Sequence, residues 1–168
     1  MCDGATFEDQ LHRMNLEIRG RGWATLAVQA PVPWVYTIGL TEHMHPELVV
    51  AGAKLPSASA LVDRLARRVI EGERFWAETM IEEEQGPYGV VAVHPTRLAA
   101  GLCAAVPAYD REMRRRWSGF QALQVQVPDE WFCKCHRGSQ PRLDLPGGTP
   151  GAPNRELRRQ AARRRRSR

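Results

Sequence analysis

Two histidines and a glutamate stand at alternate positions in one short stretch of this chain. His43, His45 and Glu47 are each two residues apart, so in an extended segment their side chains would project to one side. Two imidazoles and a carboxylate can bind a divalent metal ion, and imidazole titrates near neutral pH, as a general acid or base must. Pro46 interrupts this extended geometry. The stretch predicts a metal or acid–base site, or alternatively a polar turn in which Glu47 interacts locally.

A group of aromatic and hydroxyl side chains comes just before these residues. Trp34, Tyr36 and Thr37 precede Gly39 at the predicted end of a strand. A glycine there lets the backbone approach a ligand closely, and hydroxyl groups can fix the orientation of the ligand. We therefore expect a pocket, lined by Trp34, Tyr36 and His43, that holds a planar or anionic small molecule. The alternative is ordinary strand packing before a turn that requires a positive φ.

A third cluster, Cys-Lys-Cys-His, contains Cys133, Cys135 and His136. This spacing suggests zinc or redox chemistry, but a structural zinc site normally has a second pair of ligands, and the sequence offers none beside it. The chain also has no phosphate-binding loop, serine-hydrolase elbow, zinc-protease helix or dinucleotide fingerprint. The sequence therefore disfavours the common nucleotide-binding and serine-hydrolase classes, and it identifies no cofactor beyond a possible metal ion or flavin-like ligand at the histidines.

Two short strands must position the first two groups. Residues 34–38 and 48–51 are rich in β-branched and aromatic side chains and flank the loop, so they predict a hairpin with a polar rim. Apolar residues recur at helical spacing from Phe7 to Ile18 and again from Pro56 to Val69, which predicts an amphipathic helix on each side of the hairpin. Gly20 and Gly72 are the expected ends of these two helices.

The later elements complete a prediction of fold class. Residues 88–94 and 120–127 are expected to be strands, and Gln124 and Gln126 are assigned to a solvated face of the second strand. Pro107 is expected to kink or stop the helix that begins at residue 96. Because the order of elements lacks a βαβ rhythm, the chain predicts an α+β fold with a mainly antiparallel sheet, in its preferred form a half-open barrel, and two or three packed helices.

The charge of the chain is concentrated at its C-terminus. Residues 155–168 contain eight arginines and one glutamate, whereas residues 1–154 contain sixteen basic and eighteen acidic residues, within an overall charge of +5. We therefore predict a single globular domain over residues 1–143 and, over residues 144–168, a Pro/Gly linker followed by a disordered basic tail. The tail, including Arg163, Arg164, Arg165 and Arg166, is expected to contact nucleic acid or another acidic partner without sequence preference, unless it is only a solvated extension.

Composition also predicts where the protein resides. The N-terminus lacks the pattern of a secretory signal, and no apolar run approaches the roughly 18 residues that span a bilayer. The four cysteines are too few and too irregularly spaced for a secreted disulfide framework. These observations predict a cytoplasmic protein that does not contact membranes.

Several short motifs resemble a known family. Gly-Trp at residues 22–23, Tyr-Thr-Ile-Gly-Leu at residues 36–40 and Pro-Glu-Leu-Val-Val at residues 46–50 resemble the family known as domain of unknown function 4262. Later pieces keep the order of that family, namely Leu-Gln-Val at 123–125, Pro-Asp at 128–129, Trp-Phe at 131–132 and Gln-Pro-Arg-Leu at 140–143. The resemblance covers residues 7–143 and implies no particular activity. The Cys-Lys-Cys-His cluster departs from the family pattern, so the resemblance implies no metal site there.

Three functions remain open from the sequence. The first is a ligand-binding domain that holds a small molecule at the loop between Tyr36 and Glu47 and contacts acidic partners through its tail. The second is a small enzyme that uses His43, His45 and Glu47 with a metal ion or a flavin-like ligand. The third is an RNA-associated accessory protein that acts through its tail.

Overall fold

The computed structural model describes residues 7–112, 120–132 and 140–150. In chain order the helices and strands are α1 (Phe7–Arg21), β1 (Ala24–Val28), β2 (Trp34–Ile38), β3 (Glu47–Ala51), α2 (Leu55–Ile70), β4 (Thr79–Ile81), β5 (Tyr88–Ala92), α3 (Pro95–Ala99), α4 (Ala105–Glu112) and β6 (Ala122–Gln126). Two 3-10 helices occupy Leu40–His43 and Asp129–Trp131. Among the helices so described, none is long and apolar enough to cross a membrane.

The six strands form one sheet in the order β1-β2-β3-β6-β5-β4. Every neighbouring pair is antiparallel except β3 and β6, which run parallel. The prediction of an α+β fold with a mainly antiparallel sheet is confirmed. The sheet is open, because among the described residues β1 and β4 lie at its opposite edges and do not pair with each other.

Helices pack on both faces of the sheet, which gives the protein two apolar cores. On one face, Leu61, Leu65 and Val69 of α2 pack against side chains from the strands, including Val35 and Leu48. On the other face, side chains of α1 and α4 and of the segment around residue 102 pack against the opposite sides of the same strands. Every residue of β2 and β3 is buried as a result. The two strands on either side of the candidate loop are therefore fixed from both faces.

The strand β6 corrects one prediction from the sequence. Gln124, which was assigned to a solvated face, is only 2% exposed. Its Nε2 donates to the carbonyl of Pro141 at 2.7 Å, and its Oε1 accepts from the backbone N–H of Leu143 at 2.9 Å. A central strand with a layer on each face has no solvated side, so its buried polar side chain must find hydrogen-bond partners. Gln126, farther along the strand, is exposed as predicted.

Two predicted helix ends also differ. The helix expected from residue 96 ends at Ala99, before Pro107 is reached. Pro107 lies instead in the first turn of the separate helix α4, where a backbone N–H has no partner within the helix, so the proline is accommodated. Gly20 lies inside α1, and the glycine beyond its end is Gly22, which has a φ of 94°. The second predicted helix has the expected extent, from residue 55 to residue 70.

The segment from residue 140 to residue 150 packs against the domain. The Arg97 guanidinium donates to three backbone carbonyls, those of Arg142, Leu145 and Gly148, at 2.7–2.9 Å. The side chain of Leu143 is fully buried in the second core. Residues that the sequence assigned to the start of the linker thus contact the domain. Residues 151–168 lie outside the described part of the chain, and the division into domain and tail stays a prediction.

Candidate functional site

The loop between β2 and β3 (residues 39–46, here called the hairpin loop) contains the first cluster of predicted site residues. The two strands are antiparallel, so the predicted hairpin is confirmed. Gly39 begins the loop with a φ of 110°, and Met44 near its end also adopts a left-handed conformation, with a φ of 54°. A Cβ on Gly39 would lie 3.1 Å from the carbonyl oxygen of Gly22. Both the positive φ and the close backbone contact therefore require glycine here.

The fully buried carboxylate of Glu47 holds the hairpin loop in this shape. Oε2 accepts from Thr37 Oγ1 at 2.6 Å and, at 3.4 Å, from the backbone N–H of Leu40. Oε1 accepts from the backbone N–H groups of Gly39 and Thr41 at 3.0 and 3.1 Å, and from Thr41 Oγ1 at 2.9 Å. Both oxygens are thus engaged by the loop that Glu47 closes. The local interaction that the sequence left open as the alternative is the one that the protein has.

Burial and hydrogen bonding shift the pKa of Glu47 in opposite directions. Its complete burial raises the pKa of the carboxyl group, because the charged form loses its hydration. The hydrogen bonds from Thr37, Thr41 and Gly39 stabilise the charged form and lower the pKa, which reduces the rise without cancelling it. The side chain is therefore an electrostatically costly group that closes the loop.

Trp34 and Tyr36 connect β2 to the start of α4 and to the turn before it. Trp34 Nε1 donates to the carbonyl of Leu102 at 2.9 Å, and the Tyr36 hydroxyl accepts from the backbone N–H of Ala105 at 3.2 Å. Burial raises the pKa of the Tyr36 hydroxyl above its ordinary value. Both rings belong to the second core. Together with the buried Thr37, whose Oγ1 accepts from a backbone N–H of β3, these side chains make contacts that hold β2 in place, and their part in ligand binding stays a prediction.

His45 is held by both of its ring nitrogens. Nε2 accepts from the backbone N–H of Phe75 at 3.0 Å, so the proton is on Nδ1, which donates to the carbonyl of Pro46 at 2.6 Å. The ring also packs edge-to-face on Phe75, with 5.6 Å between centroids. Burial lowers the pKa of His45, and the nearby Arg74 contributes to the decrease. The imidazole is therefore neutral and joins the hairpin loop to the segment before β4.

We expect His45 to make the stability of the protein depend on pH. Because its pKa is lowered on folding, its contribution is present above the unfolded pKa of about 6.5 and is lost as the pH falls through the folded pKa. The variant His45→Phe keeps a ring beside Phe75 but leaves that backbone N–H without an acceptor. It should be less stable than the wild type by about 1–3 kcal/mol at pH 8, and the difference should narrow by pH 5. Urea unfolding at both pH values measures this difference, and a gap that widens on acidification would contradict it.

His43 lies elsewhere. Its Nε2 is 3.3 Å from the position that a Cβ on Gly22 would occupy, which places its ring beside the turn between α1 and β1. His43, His45 and Glu47 therefore contact three different parts of the protein, and the predicted two-histidine, one-carboxylate face is not assembled. Across residues 7–112, 120–132 and 140–150 no group of three or more histidines, cysteines and acidic residues is placed to hold a metal ion.

The remaining predicted site residues belong to two other segments of the chain. The cluster of Cys133, Cys135 and His136 lies outside the described residues, as do the tail arginines. The predictions of a weak metal site and of a nucleic-acid-binding tail therefore stay predictions.

The hairpin loop borders an open depression of about 180 Å³. Its walls come from the loop and from the residues that lead into β6, namely Thr41, Met44, His45, Pro46, Phe120 and Gln121. Met44 stands out into solvent, because 87% of its surface is exposed. Of the residues predicted from the sequence, only His45 lies in this wall. The backbone N–H of Glu47 donates to the carbonyl of Gln121 at 2.9 Å, and this contact brings the two distant parts of the chain together.

The comparisons with known proteins identify one family. A model of the family described as Domain of unknown function (DUF4262) matches residues 17–131, more than half of the chain. The chain belongs to this family. The resemblance found in the sequence is thereby confirmed. The comparison with curated proteins finds no match, and neither does the comparison with solved structures.

The DUF4262 match contains the whole candidate site. It spans the sheet from β1 to β6, the hairpin loop and all six residues that line the depression. The segment from residue 140 to residue 150 lies beyond the DUF4262 match, although it packs on the second core. The hairpin loop is thus part of the family domain, and the later segment supports that domain in this chain.

Proposed function

We propose that this DUF4262 domain binds a small molecule, which it holds in the depression beside the hairpin loop. The observation that carries the proposal is the Glu47 carboxylate, whose hydrogen bonds hold a loop that presents Met44 to solvent. A protein commonly holds its binding residues on loops positioned by a rigid scaffold. Here the scaffold is the pair of fully buried strands β2 and β3.

The conformation of the loop is costly, and it ends at Met44, the left-handed residue that caps the 3-10 helix Leu40–His43. A buried carboxylate loses its hydration, and a left-handed backbone at a residue other than glycine costs about 1–2 kcal/mol. Met44 adopts such a conformation although its side chain packs in neither core. Strain of this kind is concentrated at binding sites and active sites. The loop therefore has the properties expected of a surface that is shaped for a ligand.

The wall of the depression defines the chemistry of the ligand. Met44, Pro46 and Phe120 contribute apolar groups, while Thr41 and Gln121 contribute polar ones. The volume of about 180 Å³ is below the roughly 300–1,000 Å³ of pockets for drug-sized ligands. We therefore propose a compact ligand with a planar apolar part and a group that forms hydrogen bonds.

The same geometry favours binding over catalysis at the predicted residues. Both nitrogens of His45 and both oxygens of Glu47 have hydrogen-bond partners within the protein. A general acid or base must reach the proton that it transfers. The alternative of an enzyme that uses His43, His45 and Glu47 is accordingly less well supported than binding.

Methyl NMR tests the proposal directly. The protein has five methionines, so a sample labelled with ¹³C at the methionine methyl groups gives a small set of resonances that mutation can assign. We expect that some compounds in a library of small aromatic amides and acids shift the Met44 resonance, because Met44 stands in the wall of the depression. Met80 is the matched control, since it is also exposed, at 59%, but is not part of the wall.

The pattern of shifts decides the outcome. Compounds that shift Met44 and leave Met80 unchanged should lose at least tenfold in affinity for the Gln121→Ala variant, whose substitution removes a polar group from the wall. If no compound shifts Met44 selectively, or if Met44 and Met80 respond alike, the depression is not a binding site and the proposal fails.

Two further predictions accompany the proposal. The tail is proposed to contact acidic partners, because residues 155–168 have eight arginines and one glutamate. The cytoplasmic location also stays a prediction.

A further inference from the structure

The outer edge of β4 has two exposed apolar side chains. This strand is only three residues long and stands last in the order of the sheet, so among the described residues no strand pairs with its outer side. Trp76, just before the strand, is 63% exposed, and Met80 within it is 59% exposed. A sheet edge with large apolar side chains readily accepts another segment of chain.

The same edge is strongly acidic. Residues 71–84 contain six glutamates and one arginine. Glu73 and Glu83 pair with Arg68 at 2.6 Å. The other four are exposed and have no ion-pair partner within the described part of the chain, and three of these lie close to β4, namely Glu78, Glu82 and Glu84. We call Trp76, Met80 and these three glutamates the β4 edge patch.

The charge of the β4 edge patch selects its occupant. If a second copy of the chain paired edge to edge through β4, it would bring glutamates close to glutamates, and like charges placed opposite each other are destabilising. A segment rich in arginine would instead meet carboxylates of opposite charge. Its guanidinium groups would also stack on the indole ring of Trp76, which is the aromatic ring that attracts cations most strongly.

We propose that the arginine-rich C-terminal segment of this chain, residues 155–168, binds intramolecularly to the β4 edge patch. The segment contains eight arginines and one glutamate, whereas residues 1–154 contain eighteen acidic and sixteen basic residues. It begins seven residues after Gly148, the last residue whose carbonyl Arg97 holds. The basic and acidic regions of the protein therefore neutralise each other.

The chain beyond Pro150 is long enough to reach the patch. Eighteen residues follow Pro150, and at about 3.3–3.6 Å per residue they span up to roughly 60 Å when extended. A domain of about 150 residues has a radius of gyration of roughly 15 Å. The segment can therefore reach any point on the surface of its own domain. Ion pairs at an exposed surface are weak individually and are screened by salt, so the contact is expected to be reversible and sensitive to ionic strength.

Charge neutralisation in the full-length chain tests the proposal. The variant has Arg163, Arg164, Arg165 and Arg166 each replaced by serine, and circular dichroism checks that its fold is unchanged. At low ionic strength we expect the Met80 methyl and Trp76 indole resonances of the variant to differ from those of the wild type. In the wild type both resonances should move towards the variant positions as NaCl is raised to 0.5 M. Met44 serves as the internal reference, because it lies outside the β4 edge patch.

A charge exchange provides the second arm. Glu78→Arg with Glu82→Arg should abolish the difference between the wild-type and serine tails, and replacing the four tail arginines by glutamates in that background should restore it. The wild-type shifts should not depend on protein concentration, since the contact is within one chain. If Met80 and Trp76 have the same resonances with either tail, or if their shifts grow with concentration, the proposal is overturned. This test is independent of the proposed ligand binding. The Met44 resonance reports ligand binding, whereas the Met80 and Trp76 resonances report binding of the tail.

Discussion

Replacing Glu47 with alanine is expected to lower the free energy of unfolding by about 3–5 kcal/mol. The substitution removes the acceptor of hydrogen bonds from Thr37, Gly39 and Thr41. Each buried donor left without a partner costs about 1–3 kcal/mol, although Thr41 recovers part of the loss because it is exposed to water. Urea unfolding followed by circular dichroism measures the change.

Glu47→Gln is the matched control for this prediction. Its amide oxygen can accept at the Oε1 position from Gly39 and Thr41, while its NH₂ group donates to Thr37 Oγ1, which can accept when its own proton turns away. The NH₂ group cannot accept from the backbone N–H of Leu40, a long contact of 3.4 Å in the wild type, so the glutamine variant should lose about 1–2 kcal/mol of stability, less than the alanine variant. If Glu47→Ala and Glu47→Gln lose equal amounts of unfolding free energy, the hydrogen bonds to this side chain do not hold the hairpin loop.

A comparison of the wild type with Glu47→Gln also isolates the effect of the negative charge on Glu47. Because burial raises the pKa of Glu47 on folding, the folded protein binds this proton more tightly than the unfolded chain does. The stability of the wild type should therefore fall, relative to Glu47→Gln, as the pH rises from the unfolded pKa of about 4.3 through the folded pKa. The opposite trend over that range would mean that the hydrogen bonds to the carboxylate outweigh its burial.

The local elements could be predicted from the sequence because their signals are local. The spacing of apolar residues in α1 and α2 and the β-branched runs of β2 and β3 each lie within one element. The two strands are close in sequence, and the loop between them has a glycine where the chain turns. The hairpin therefore follows from adjacent residues.

The contacts around β6 could not be predicted in this way. Its parallel pairing with β3 joins Glu47 to Ala122 and Val49 to Gln124, residues separated by about seventy-five positions in the chain. Alternation of apolar and polar residues in β6 indicated one solvated face, but the segment from residue 140 covers that face. The wall of the depression near Phe120 depends on the same pairing, which explains why the sequence did not indicate it.

The alternation of the two histidines was misleading for a geometric reason. Side chains two residues apart share a face only if the backbone is extended, and Met44 between them is left-handed. His43 and His45 consequently contact different parts of the protein. A chemical motif read from spacing is thus only as reliable as the backbone conformation that it assumes.

Gly52→Ala is expected to destabilise the protein by about 2–4 kcal/mol. Gly52 has a φ of 82°, and a Cβ there would lie 2.8 Å from Cδ of Pro141. The left-handed conformation alone costs an alanine about 1–2 kcal/mol, and the clash with a proline ring, which cannot rotate away, adds about 1–2 kcal/mol more. Gly72→Ala is the matched control, because Gly72 has a φ of 106° but no atom within 4 Å of the added Cβ. The free energy of unfolding of Gly72→Ala should fall only by the cost of the left-handed conformation, about 1–2 kcal/mol.

Hydrogen exchange in these two variants tests how the segment from residue 140 to residue 150 is attached to the domain. If the clash pushes Pro141 outward, the backbone N–H of Leu143 loses its buried bond to Gln124 Oε1. Hydrogen exchange at Leu143 should then be faster than in the wild type by tenfold or more in Gly52→Ala and nearly unchanged in Gly72→Ala. Equal exchange at Leu143 in both variants would mean that residues 140–143 are not held by this contact. Because Leu143 is fully buried in the second core, faster exchange would show that the contact between Gly52 and Pro141 keeps this segment, which lies beyond the family match, packed on that core.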